Sequence, residues 1–109
     1  MFLAAKIKQG DAVLVPVEVS LNGEALNVAE AETVEFFIGG YRKLWPGEAV
    51  YDEGDGCFYV PVSQKESFSW QENANITVDV RVKFRGGNVM GAERLKYAFV
   101  VDAVSEVNL

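Results

Sequence analysis

Two long stretches of this chain alternate between apolar and polar residues. From Ala12 to Leu21, Val13, Val15, Val17, Val19 and Leu21 fall on one side, and Leu14, Pro16, Glu18 and Ser20 fall on the other. From Ile76 to Phe84, Ile76, Val78, Val80, Val82 and Phe84 oppose Thr77, Asp79, Arg81 and Lys83. A period of two is the signature of a strand with one buried face. Pro16 has no backbone donor, which places its strand at an edge or at a bulge. The second stretch would run for about 30 Å at the rise of an extended chain.

Weaker strand signals fill the intervals, and turn residues separate them. Asn22-Gly23 tolerates positive φ at both positions and predicts a tight turn. Glu24 to Glu32 is irregular, with room for one helical turn, and Leu26 and Val28 are expected to plug the core as the chain crosses between sheets. Thr33 to Ile38 is rich in β-branched and aromatic residues, and Gly39-Gly40 ends it. Trp45-Pro46-Gly47 predicts a further turn, which leaves Tyr41 to Pro46 as a loop. Ala49 to Tyr51 and Cys57 to Val62 predict a hairpin about the turn Asp52 to Gly56. Ser63-Gln64-Lys65-Glu66 has the capping-box spacing, in which the serine hydroxyl and the glutamate satisfy each other's backbone donors. The one short helix expected covers Gln64 to Trp70, with Trp70 over the core. Gly86-Gly87 predicts a two-residue hairpin loop. Lys96 to Val104 closes the domain, with Tyr97, Phe99 and Val101 inward. Met1 to Lys6 is too short an apolar run for a signal peptide and reads as a first strand. The whole is an all-β, antiparallel two-sheet sandwich of about seven or eight strands.

The chain has 109 residues, which fits one domain, 1–109. It carries 16 acidic and 10 basic residues, a net charge of −6. That balance argues against nucleic-acid and anionic-membrane partners, which require a basic surface. Histidine is absent, which removes the commonest general base and every Ser-His or Cys-His nucleophile. The single cysteine, Cys57, cannot form an internal disulfide and reads as a small buried hydrophobe. The acidic turn Asp52, Glu53, Asp55 does not match a calcium loop, because the twelfth position from Asp52 is Ser63. Arg81, Lys83 and Arg85 read as a solvated row pairing with acids on neighbouring strands. No catalytic, cofactor-binding or metal-binding residue is assigned, and no cofactor is expected. The candidate contact residues are Tyr41, Leu44 and Trp45, because a large aromatic in a turn suits a partner interface; the alternative is that Trp45 folds back over the sheet edge.

Several segments taken in order resemble a known family. Lys8-Gln9-Gly10-Asp11 precedes the alternating strand, Gly23-Glu24-Ala25-Leu26-Asn27-Val28-Ala29 makes the crossover, and Thr33-Val34-Glu35-Phe36-Phe37-Ile38 follows. Gly56-Cys57-Phe58-Tyr59, the serine-led helix and the long strand with its Gly-Gly hairpin complete the series. This order is similar to the immunoglobulin-like module of phage and prophage tail or baseplate proteins. Where that family has Thr-Gly before its third strand, Ala29-Glu30-Ala31 stands here. The resemblance implies an immunoglobulin-like sandwich and a non-enzymatic structural role. Its partners would be other phage structural proteins or further copies of the chain. The protein would assemble in the bacterial cytoplasm and end in the particle. The alternative expectation is a small carbohydrate-binding sandwich with Tyr41, Trp45 and Tyr51 as stacking platforms.

Overall fold

The computed structural model describes residues 5–8, 11–71, 75–91 and 95–101. The chain folds as an all-β sandwich of two unequal sheets with a small hairpin between them. Its strands are β1 (Ala5–Lys8), β2 (Val13–Val17), β3 (Ser20–Leu21), β4 (Glu24–Ala25), β5 (Ala31–Ile38), β6 (Tyr41–Trp45), β7 (Val50–Asp52), β8 (Cys57–Val62), β9 (Asn75–Phe84), β10 (Val89–Gly91) and β11 (Leu95–Val101). The larger sheet has the order β1-β11-β9-β5-β6, with β10 also paired to β9. The smaller sheet has the order β2-β8-β7. β3 and β4 pair only with each other, about Asn22-Gly23, where both residues have positive φ.

The first alternating stretch is divided between β2 and β3, with Glu18 and Val19 between them, and the second became β9; β2 and β9 each turn a valine face inward. Val15 and Val17 of β2 and Val78, Val80 and Val82 of β9 are buried. Phe36 of β5 and Phe58 of β8 join the layers, with ring centroids 5.4 Å apart. Pro16 lies on an edge strand with continuous register, so the edge reading holds and no bulge is needed. Asn27 caps a single 3-10 turn, Val28–Glu30, at the crossover into β5. The capping box formed as expected and starts α1 (Gln64–Phe68), which ends before Trp70 because Ser69 is its C-cap.

Four expectations need correction. Tyr41 to Trp45 is a strand, not a loop. Gly39 (φ +56°) and Gly40 (φ +90°) together form a two-residue turn that sends the chain straight back along β5. Charged residues on both faces of β6 hide its period. Second, the loop after β9 has three residues, not two. The Phe84 N–H donates to Asn88 at 2.8 Å, and Gly87 takes the left-handed position. Third, the sandwich is not wholly antiparallel, because β1 runs parallel to β11. Fourth, breaks in the ladders divide it into more, shorter strands. The expectations for Tyr97, Phe99 and Val101 concern side chains outside the described residues, as do those for Met1 to Ala4 and for 102–104.

Candidate functional site

The three candidate contact residues do not form one surface. Register pairs Tyr41, Lys43 and Trp45 with Ile38, Phe36 and Val34, which places them on the inner face of the large sheet. Leu44 pairs with Glu35 on the outer face. Trp45 meets Phe58 edge-on at 5.4 Å, and Tyr51 meets the same ring at 4.8 Å. Tyr41 packs on Trp70 at 6.3 Å. Each aromatic of the expected stacking platform thus turns one side to an internal ring.

α1 and the residues just after it pack against the inner face of the large sheet near the β5–β6 turn. Lys43 Nζ lies 2.9 and 2.7 Å from the two carboxylate oxygens of Glu66. Glu66 also accepts from the Ser63 N–H at 2.9 Å as the reciprocal half of the capping box. Partial burial acts to raise the Glu66 pKa, but the Lys43 ammonium and the Ser63 donor outweigh it and hold the carboxyl below its ordinary value. The Ser69 hydroxyl donates to the Glu66 carbonyl, so the Tyr41 hydroxyl donates to Ser69, at 2.6 Å. The Trp70 indole donates to the Gly39 carbonyl at 2.9 Å. These groups are consumed in holding α1 to the β5–β6 hairpin.

A second polar corner lies where β7 turns into β8. Asp55 accepts from the Cys57 N–H at 3.1 Å and from the Tyr59 hydroxyl. That hydroxyl bond, followed by lost hydration and nearby negative charge, pushes the Tyr59 phenol up to about 12. Cys57 is buried, 8% exposed, as its sequence context predicted. Its burial, then the charges of Asp55, Glu18 and Asp52, raise its pKa and keep it a thiol.

The two outward faces differ in chemistry. On the large sheet polar pairs predominate, Thr33 with Lys83 and Glu35 with Arg81, with exposed Phe37 and Val89 standing singly opposite Asp79 and Lys83. Arg42 pairs with Glu35 at 2.6 Å, and Lys83 with Glu32 at 3.2 Å. Arg85 departs from the expected basic row and donates instead to the Ala29 carbonyl at 3.1 Å. On the small sheet, Leu14 stands opposite Pro61, and Pro16, Tyr59 and Val50 form one cross-strand row. Leu14 is 62% exposed and Val50 is 63% exposed. Sequence reasoning missed this face, although Leu14 and Pro16 already stood at outward positions of an alternating strand.

Two of the strand edges bordering these faces, β2 and β6, are blunted. Pro16 and Pro61 have the same parity in the β2–β8 ladder, and neither can donate, so both occupy its non-hydrogen-bonded pairs. The donor that Pro16 lacks is therefore one that would point outward from β2. At β6, the Leu44 N–H donates to the Glu48 carboxylate at 3.2 Å. The Leu44 carbonyl accepts from the Glu48 and Ala49 N–H groups at 2.9 and 3.0 Å.

Among the described residues, no three or more Cys, Asp or Glu side chains are placed to hold a metal ion, and no helix is long and apolar enough to cross a membrane. A shallow open groove beside the β9–β10 hairpin is floored by Phe84 and Met90 and edged by Arg85 and Glu30. No protein-family model, no curated protein and no solved structure matches this chain.

Proposed function

We propose that this protein is a structural module of a phage or prophage particle, in its tail or baseplate, and works by protein–protein contact. The observation that carries the contact reading is the outward face of the small sheet. An antiparallel sheet exposed on one side ordinarily carries polar residues there. Here Leu14 and Val50 stand open to solvent beside two prolines and a tyrosine. A contiguous apolar face of this kind marks a surface that a partner covers.

The strand order supports an immunoglobulin-like sandwich. The first strand lies parallel to the last, the chain changes sheets after β1, between β2 and β5, and again after β6 and after β8, and β9 is central to the larger sheet. The phage assignment rests on the series of segments from Gly10-Asp11 to the long β9 strand. Co-expression with the products of adjacent genes tests the reading, with complexes resolved by size-exclusion chromatography and mass spectrometry. A stable complex with a tail or baseplate protein is expected. A chain that stays alone with every neighbour removes the proposal.

A further inference from the structure

We infer that the outward face of the β2-β8-β7 sheet docks a partner protein that presents an apolar strip flanked by lysine or arginine. The inference rests on the contact reading above and specifies its partner. The centre of the face is Leu14, Pro16, Val50, Tyr59 and Pro61, contributed by all three strands. Its rim is acidic. Glu18 follows β2, Asp52 ends β7, and Glu53 and Asp55 lie in the turn to β8. No lysine or arginine occurs in residues 11–41 or 44–64, so no basic residue arises from any strand or turn of this sheet. An apolar centre with a charged rim is the ordinary anatomy of a protein interface. A rim of one sign selects a partner of the other.

Three further observations set the mode and weigh against the simplest alternative. Pro16 denies a donor to an added strand at the β2 edge, and the Leu44 backbone at the β6 edge is already occupied by the turn. Docking is therefore onto the face and not by strand addition at those two edges. A second copy would bring the same acidic end and the same net charge of −6, so a self-pair that stacks the acidic ends is opposed. The face itself, made by strands of five, six and three residues, measures roughly 200 Å² by strand geometry. A stable pair needs roughly 800 Å² from each partner, so the acidic surroundings must join the contact. Like charges would oppose that in a self-pair, whereas a basic partner would be attracted.

The test uses a surface-displayed random peptide library panned on the full chain, with counter-selection on the Leu14→Ser/Val50→Ser double variant. Both residues are largely exposed, so the variant keeps its fold, checked by circular dichroism. Enriched peptides are expected to combine apolar residues with several lysines or arginines. Synthetic versions should bind the double variant at least about tenfold more weakly and lose about tenfold in affinity between low and high salt. The Asp52→Asn/Glu53→Gln variant touches no core residue and should bind them at least about threefold more weakly. No enrichment overturns the inference, as do neutral or acidic winners, or winners that bind the double variant equally. Sedimentation equilibrium showing self-association that the double variant abolishes also overturns it, because the occupant would then be a second copy. A neighbouring-gene complex indifferent to the double variant leaves the assembly reading standing and removes this one. Peptide capture without any such complex removes the assembly reading alone.

Discussion

Gly39→Ala tests whether the contact between α1 and the β5–β6 hairpin leaves any room. A Cβ at Gly39 would lie 2.4 Å from Trp70 Cε2 and Nε1 and 2.5 Å from Cζ2. Carbon atoms pack at about 3.5–4.0 Å, so the indole would have to retreat by about 1 Å. Retreat is obstructed on two sides. The ring is 6% exposed within the core, and its N–H is bound to the carbonyl of the same glycine at 2.9 Å. Gly39 also sits at φ +56°, where alanine pays a left-handed penalty of about 1–2 kcal/mol. The lower entropy of the unfolded chain offsets about 0.4–1 kcal/mol of that. Overpacking adds about 1–3 kcal/mol, and loss of the indole hydrogen bond about 1 kcal/mol. The expected total is about 3–4 kcal/mol. Gly40→Ala provides the control, because Gly40 has φ +90° and nothing lies within 4 Å of its added Cβ. It should show the backbone part alone, about 1 kcal/mol. Urea unfolding followed by tryptophan fluorescence and circular dichroism measures both. In a Trp70→Leu background, Gly39→Ala should cost no more than Gly40→Ala, as a double-mutant cycle requires. Equal costs for Gly39→Ala and Gly40→Ala in the wild-type background would refute the steric argument.

Glu66→Gln should cost about 1–3 kcal/mol, the scale of a charge-assisted hydrogen bond lost from a pair whose side chains are 11% and 18% exposed. The folded Glu66 pKa lies below its ordinary 4.5, so its contribution is present above that value and fades as pH falls through the lower folded value. The variant should therefore show a shallower loss of stability on acidification, read from urea midpoints across the acid range. Absorbance titration should find one tyrosine ionising near 12, and Asp55→Asn should return it toward 10. Because the folded phenol has the higher pKa, its contribution is intact below 10 and declines as pH rises through about 12. Cys57 should resist a thiol reagent in the folded protein and react fully once urea unfolds it; rapid native labelling would contradict its burial.

The fold was legible where one face of a strand is buried and the other is wet. Val13 to Leu21 and Ile76 to Phe84 show that contrast in every second residue, so period alone identified them. Ser63 and Glu66 were legible because a capping box is local chemistry at fixed spacing. The β6 strand was not legible. Tyr41, Lys43 and Trp45 face inward, but Lys43 is tolerated there only because Glu66 reaches it from twenty-three residues away, a pairing no local pattern records. Gly39-Gly40 was seen as an end to β5 when it is a connector, because a two-glycine turn and a strand terminus have the same composition. The parallel pairing of β1 with β11 joins opposite ends of the chain and leaves no local signature.

The same long-range pairing explains why the candidate site moved. A sandwich of two unequal sheets leaves part of the larger sheet's inner face without an opposing sheet. Here one turn of helix and the residues just after it close the inner face near the β5–β6 turn. One turn buries little apolar surface, so directed bonds supplement it: the Lys43–Glu66 pair, the Tyr41–Ser69 hydroxyls and the Trp70–Gly39 bond. In the segment 41–46, Tyr41 and Lys43 are committed to this closure, and Trp45 packs against Phe58 of the small sheet instead. The small sheet has the opposite imbalance. Its inner face is mostly covered, while its outer face keeps apolar residues that contribute little to folding while they stand in water. On the proposed contact reading, water leaves Leu14 and Val50 only when a partner docks, since the fold leaves both exposed. The chemistry available for contact therefore lies on the layer opposite to the one where the largest aromatic in a loop-like segment pointed.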